Sequence, residues 1–353
     1  MRNNTIKFFA AFLFSTTGLL AQDIHFSQLT ETPLLLNPAN TGFFDGYHRA
    51  YLNYRSQWSS AGSPFKTVSA SFDSEIGMKK TKTAYLGVGG YIFQDKAGAA
   101  NWSTFNADLF VNGIVKVGDK SHLALGLGGG YGQNSANFNS LSFGNQYDGQ
   151  QFNSSLPTQE SIVFKNYNYF DLASGVCFDY GQKNASFDHN NLLGFRLGLA
   201  AYHLNKPRLK YGGKKQYLEP KLVGTLNVRI DLKDSKLSVL PNVVYMMQAG
   251  ASEFNFGTLL RIRFNDQTKI TGYIHETSMY IGVNYRLNDA VVPQLMFEMA
   301  GFNVGFSYDY TVSDYSTASK GVGGFEISLR WISLRDGLFK QKREFGSSKS
   351  VTE

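Results

Sequence analysis

The sequence predicts an all-β chain, a transmembrane antiparallel β-barrel of about 14 strands. Long stretches alternate apolar and polar residues with a period of two, which is strand geometry, because successive side chains leave opposite faces of the pleat. The 353 residues include 36 Gly, 29 Phe, 20 Tyr and 3 Trp, yet only 17% are charged. Mean hydropathy is −0.23, and after the first twenty residues no apolar run approaches the ~18 that a spanning helix needs. A barrel wall reconciles these facts, since every second strand residue faces a polar lumen and dilutes the hydropathy.

The chain opens with Arg2 and Lys7, then the apolar run Phe8–Phe14, then small and apolar residues up to Ala21. A charged stretch, a short apolar stretch and a small residue in that order predict a signal peptide over 1–21, cleaved after Ala21, and hence export. Residues 22–46 contain Pro33 and Pro38, which disfavour a regular strand. Their run Leu34-Leu35-Leu36 needs an apolar partner, so 22–46 is expected to pack in the lumen or at the periplasmic mouth of the barrel.

The barrel is expected over 47–332. Residues 302–310 set the pattern: Phe302, Val304, Phe306, Tyr308 and Tyr310 share one face, and Asn303, Gly305, Ser307 and Asp309 the other. Residues 325–331 repeat it, with Phe325, Ile327, Leu329 and Trp331 opposing Glu326, Ser328 and Arg330. The segments run 47–56, 65–76, 83–94, 102–117, 121–133, 168–180, 192–204, 217–231, 236–247, 255–264, 277–286, 290–299, 302–311 and 323–332. An even count returns both ends to one side of the membrane. With strand one running outward, 77–82, 118–120, 232–235 and 300–301 become inner turns. The longest connection, 134–167, falls outside, and its Asn, Gln, Ser and Gly suit a solvated loop. Connections 181–191 and 265–276 are longer than inner turns usually are. A pair of soluble β-sandwiches would also alternate. Aromatics near strand ends and Gly-rich polar faces favour the barrel instead.

With apolar faces toward lipid, the lumen receives Arg49, Arg55, Arg196, Arg229, Arg261, Arg263, Arg286 and Arg330. It also receives Asp73, Asp108, Asp171, Asp179, Glu298, Asp309 and Glu326. Placing such charges toward lipid would cost ~2–4 kcal/mol each near the midplane. Cations and anions in near balance imply mutual pairing that stiffens the wall, rather than a ring of one sign. A weakly cationic path for acidic peptide or small anions is the alternative, and the net charge of +7 suits either.

Little in the chain reads as catalysis. A single Cys, Cys177, excludes a disulfide framework and Cys-based metal sites. The six His are 25, 48, 122, 189, 203 and 275, with no helical i, i+4 pair and no G-x-S-x-G nucleophile motif. Gly126–Gly130 lies inside an alternating run with no helix after it, so its glycines let strands approach one another rather than cradle a phosphate. The expectation is a non-enzyme without cofactor or metal. Residues 333–353 form a basic C-terminal tail carrying Arg335, Lys340, Lys342 and Arg343, which is either a free end or a dock for an acidic periplasmic partner.

Several words of the sequence resemble one family. The stretch Gln22-Asp23-Ile24-His25-Phe26-Ser27-Gln28, followed by Asn37-Pro38-Ala39-Asn40-Thr41-Gly42, is similar to the opening of the PorP/SprF outer-membrane proteins of Bacteroidetes. Tyr54-Arg55-Ser56-Gln57-Trp58, Tyr202-His203-Leu204-Asn205-Lys206-Pro207, Ser307-Tyr308-Asp309-Tyr310 and Gly324–Leu329 fit as well. The resemblance covers about residues 22 to 330; the tail beyond Ile332 is longer than it implies. It implies an outer-membrane component of the type IX secretion and gliding machinery. Expected partners are secretion components or a large secreted adhesin, together with outer-membrane lipid, and no nucleic acid. Phe26, Asn37, Pro38, Arg55, Trp58, His203 and Asn205 become candidate structural or partner-contact residues. Asn37–Gly42 and Tyr54–Trp58 are expected at the barrel mouth, and His203 and Asn205 as loop anchors. A passive porin for small solutes is the alternative, and a barrel hydrolase using His203 a more distant one.

Overall fold

The computed structural model describes residues 23–58, 64–77, 83–138, 141–159, 166–181, 193–209, 216–265, 277–313, 316 and 321–333. The expected signal peptide, the basic tail beyond Ser333 and the connections 78–82, 182–192 and 266–276 lie outside these residues. The strands are β1 (His48–Gln57), β2 (Phe65–Ile76), β3 (Ala84–Ala97), β4 (Trp102–Gly118), β5 (Ser121–Ser135), β6 (Tyr167–Tyr180), β7 (Leu193–Tyr202), β8 (Arg208–Leu209) and β9 (Gln216–Tyr217). They continue with β10 (Lys221–Asp231), β11 (Leu237–Gln248), β12 (Ala251–Asn265), β13 (Thr277–Arg286), β14 (Ala290–Met299), β15 (Phe302–Thr311) and β16 (Val322–Ser333). β8 and β9 pair only with each other; the other fourteen form one closed antiparallel barrel. Closure joins β1 to β16 in register from His48 opposite Ser333 to Gln57 opposite Gly324.

Each of the fourteen predicted segments coincides with a barrel strand. The largest boundary shifts have local causes. Gln216 and Tyr217 leave the wall to pair with Leu209 and Arg208, so the strand predicted from 217 starts at Lys221. β12 starts four residues early, at Ala251, because Ala249 (φ +52°) and Gly250 (φ +85°) make a two-residue hairpin turn. With both central residues at positive φ, the turn matches strand twist and lets Gln248 pair directly with Ala251.

The wall is turned inside out relative to a soluble protein. Along β15, Phe302, Val304, Phe306, Tyr308 and Tyr310 are exposed, while Asn303, Ser307, Asp309 and Thr311 are buried. The same inversion holds for Phe325, Ile327 and Leu329 against Glu326 and Ser328 on β16. Leu109 and Phe170 are each 76% exposed, which water would not favour but hydrocarbon would. No described helix is long and apolar enough to cross a membrane, which bears on helices alone. One rim carries His48, Gly118, Tyr180 and Ser333 and is called proximal below. The other, with Gln57, Ser135, Tyr202, Lys221 and Gln248, is called distal.

Candidate functional site: the lumen and the segment inside it

Residues 23–46 run through the barrel from rim to rim. At the distal rim the Asp23 amide donates to Gln248 Oε1 at 2.8 Å. At the proximal rim the Tyr47 amide donates to the Ser333 carbonyl at 2.9 Å, and the Tyr47 carbonyl accepts from the Glu75 amide at 3.0 Å. Between these ends lie three short turns, Leu29–Glu31, Pro33–Leu36 and Pro38–Asn40. Each proline opens a turn, where the absent N–H costs nothing. Asn37 caps the third, its Oδ1 accepting from the Ala39 amide at 2.8 Å. Phe26, Leu34, Ala39 and Phe43 are all buried inside the barrel.

One half of the lumen, from β13 through β16 to β2, holds this segment with charge. Arg55 on β1 lies 2.9 Å from Asp309 Oδ2 and 3.0 Å from Glu326 Oε1, and donates to the His25 carbonyl. Arg286 reaches the same Asp309 oxygen at 2.9 Å and Ser27 Oγ at 3.1 Å. The two Glu326 oxygens accept the amides of Ser27 and Gln28 at 2.6 and 2.9 Å, so one carboxylate grips two successive peptide units. Arg330 bridges Glu31 and Glu298, each at 2.9 Å. Arg49 pairs doubly with Asp73 at 3.0 and 2.7 Å and donates to the Asn40 carbonyl at 3.0 Å. Asp73 in turn accepts the Gly42 amide at 2.8 Å. The expected mutual pairing of lumen charges is present, and the segment is woven into it.

The other half, β3 to β7 with β10 and β11, holds the segment with shape. Leu29, Leu34 and Leu36 pack in one cluster with Tyr91, Phe93, Phe110, Tyr202, Val223 and Val244. Ala39 and Phe43 pack with Tyr85, Ile114, Ala124 and Cys177 in a second. Asn37 Nδ2 donates to the Val176 and Leu199 carbonyls at 3.1 and 3.3 Å, between β6 and β7. That seat exists because Gly175 and Gly198 have no side chains. A Cβ on Gly175 would overlap Asn37 Oδ1, and one on Gly198 would lie 2.8 Å from Asn37 Nδ2. A Cβ on Gly126 would strike the Pro38–Ala39 peptide. Asn112 Nδ2 spans the Ala39 and Thr41 carbonyls at 2.7 and 2.8 Å. Arg196 stacks 4.4 Å above the Phe43 ring and donates to its carbonyl at 2.9 Å.

At the distal rim, His203 forms a clasp. It sits just after β7 at φ +58°, 3% exposed, with Nε2 2.6 Å from Asp23 Oδ2 and Nδ1 2.8 Å from Asp171 Oδ2. Burial works against its charged form, but the Asp23 and Asp171 carboxylates outweigh that and push its pKa up to about 9. Lys221 Nζ lies 3.1 Å from the same Asp23 oxygen. Burial would raise the Asp23 carboxyl, yet Lys221 and His203 hold it well below the usual range.

The candidate residues therefore separate into two groups. Phe26, Asn37, Pro38, Arg55 and His203 all belong to the segment or touch it. The Asn37–Gly42 stretch enters deep in the wall at Asn37, against Gly175 and Gly198, and reaches the expected mouth only at Gly42, beside Asp73 next to the proximal rim. His203 is more than a loop anchor, since it grips Asp23. Trp58 and Asn205 stand apart from the segment. Trp58 closes the distal end of β1, its amide 2.7 Å from the Gly323 carbonyl and its ring edge-on to Phe65 at 5.0 Å. Asn205 caps the free edge of β6, its amide group bonding the Phe170 carbonyl at 2.7 Å and the Leu172 amide at 3.2 Å. Asn112, Lys221, Gln248 and the seat glycines escape the sequence reading. The glycines do fall on the polar-face parity of their strands, and that was the legible trace.

On the proximal side of the segment lies a cavity of about 450 Å³, bordered by Leu29, Pro33, Phe44, Arg196, Arg229 and Arg330 among others. Among the described residues, no group of three or more His, Cys, Asp or Glu is arranged to hold a metal ion.

The chain was compared with known proteins. A search of curated proteins returns no match. Among solved structures, it is similar to BamA from Haemophilus ducreyi lacking POTRA domains 1–3, at 11% identity and TM-score 0.41, covering 82% of this chain and 70% of that one. It is also similar to a Pseudomonas aeruginosa FadL homologue, at 12% identity and TM-score 0.44, covering 83% and 91%. A third likeness is to the CymD monoaromatic hydrocarbon channel, at 10% identity and TM-score 0.43, covering 85% and 91%. Likeness at this level bears on no function. The family profile described as type IX secretion system membrane protein PorP/SprF matches residues 19–331 and agrees with the sequence words quoted above, and the chain belongs to that family.

Proposed function

We propose that this protein is an outer-membrane component of the type IX secretion and gliding machinery. In this reading it binds a large secreted surface protein or machinery subunits, and supports their secretion or surface attachment. The observation that carries the reading is the ion-paired segment 23–46 inside the barrel, in a chain of a type IX secretion membrane family. A passive porin needs an open path, and here buried charge pairs and the chain's own backbone occupy the lumen. Breaking such pairs costs several kcal/mol, so the segment is not displaced by diffusing solutes alone. The apolar exterior supports residence in lipid, and the family supports the outer membrane as that lipid. The basic tail beyond Ser333 is proposed as a periplasmic contact for an acidic partner.

The test is a mild-detergent pull-down of the tagged protein from its native outer membrane, with the co-purifying chains identified. Stoichiometric recovery of a large exported surface protein or of machinery subunits is expected. A lone barrel that conducts small solutes in planar bilayers without any change to its sequence would sink the reading and leave a porin.

A further inference from the structure

The lumen wall reads the segment through its main chain as well as its side chains. Its three short turns leave many of the segment's backbone groups without partners of their own, and wall side chains supply a share of them. Carboxylates and an amide oxygen receive peptide N–H groups: Glu326 those of Ser27 and Gln28, Asp73 that of Gly42, and Gln248 that of Asp23. Donors receive the carbonyls. Tyr202 Oη donates to Leu34 at 2.8 Å, Gln294 Nε2 to Ser27 at 3.2 Å and Asn53 Nδ2 to Glu31 at 3.2 Å, in addition to the arginines and Asn112 already described. Buried carboxylates and arginines aimed at peptide groups are the chemistry of a peptide-binding site.

Two further features set how the segment is seated and how it is joined to the wall. Gly126, Gly175, Gly198 and Gly305 open gaps where the segment passes, and Asn37 enters one of them, which fixes the register. The covalent link is also thin. Tyr47 is already hydrogen-bonded to β2 and β16, so the tether is Asp45–Gly46, with Asp45 exposed at the proximal rim and Gly46 at φ +151°.

We propose that the barrel lumen is a peptide receptor and that residues 23–46 are its tethered ligand. The receptor accepts in trans a separate polypeptide segment of the same kind, extended at its amino end and carrying an Asn-Pro turn. This reading rests on the lumen alone and stands whether or not the secretion role does.

The experiment keeps the full chain. A site-specific protease sequence is inserted between Asp45 and Gly46, the folded protein is cut in detergent, and a fluorescent synthetic peptide of residues 22–46 is added. Saturable uptake of the labelled peptide with release of the cut segment is expected. An Asn37→Ala peptide should compete at least about ten-fold less well, and a scrambled peptide of the same composition not at all. Heat-modifiable gel migration reports whether the cut barrel stays folded. Failure of a folded, cut barrel to take up the peptide overturns the proposal, whether the original segment stays or leaves. Equal competition by the scrambled peptide overturns it too, since the site would then have no register.

Discussion

The two halves of the lumen hold the same segment by different physics. From β13 round to β2 the inward residues include Arg55, Arg286, Asp309, Glu326, Arg49 and Asp73, all buried and all paired. From β3 to β11 they include Phe110, Ile114, Ala124, Cys177, Val223 and Val244, with glycines between. Charge is strong and tolerates small displacements, but fails badly when one partner is lost. Shape is weaker per contact and fails as soon as volume is added. The comparison teaches that a wall can be rigid toward the segment on one side and exacting on the other.

The largest effect is expected from breaking the charged half. Arg55→Ala leaves Asp309 and Glu326 short of a cation in a buried site, and removing one partner of a buried pair costs about 3–5 kcal/mol. The segment should become open to limited proteolysis, and the midpoint of heat-modified gel migration should fall by several degrees. Retention of full protease resistance by the variant would show that the charged half is dispensable. The matching break on the shaped half is Gly126→Val, whose side chain would meet the Pro38–Ala39 backbone and not a movable side-chain end. Overpacking of this kind costs about 1–3 kcal/mol. It should loosen residues 37–42 and leave the Ser27–Glu326 grip intact. Hydrogen exchange resolved along the segment separates the two outcomes. Asn37→Ala sharpens the same half without adding volume. It removes a cap and two bonds to wall carbonyls, about 1–2 kcal/mol, so its effect on exchange should be smaller than that of Gly126→Val and confined to the same turn.

These two halves were not equally legible in the sequence. On β15, five apolar residues alternate with Asn303, Gly305, Ser307 and Asp309, so parity alone reads the strand, its lipid face and its lumen charges. On β6 and β7 both faces are apolar in places: Ala173 and Cys177 point inward between Leu172, Val176 and Phe178, and Ala200 follows Leu199. Alternation blurs there because the lumen face has a protein partner and need not be wet. The run Leu34–Leu36 announced that something apolar had to receive it, but parity carries no information on depth. Glycine seats such as Gly175 and Gly198 are made by the absence of atoms, and only the path of the segment shows what the gap is for. Lys221 and Gln248 sit at strand ends, where periodicity has run out.

The smallest and most selective effect concerns the distal clasp, which holds by charge although its wall residues all lie in the shaped half. His203 faces Asp23 from the segment and Asp171 from β6, with Lys221 of β10 on the other side of Asp23. Its pKa in the docked state, about 9, lies above the ordinary histidine value, so its contribution is complete below about pH 6.5 and is lost as pH rises through 9. Asp23 works in the opposite sense. Held below its ordinary value, it contributes above the usual carboxylate range and fails only in acid. Between about pH 4 and pH 6.5 the clasp should therefore be constant. From about pH 6.5 to pH 9 the amino end of the segment should loosen while Glu326 still holds Ser27 and Gln28. Short conductance bursts in planar bilayers, or the exchange of amides near Asp23 corrected for intrinsic rate, should rise over that interval. In His203→Gln the bursts should be more frequent at about pH 6 and lose their pH dependence between about pH 6.5 and pH 9, because Lys221 and Gln248 then hold Asp23 without the imidazolium. A wild-type response that persists unchanged in that variant would take the titration away from His203 and leave it as a packing residue.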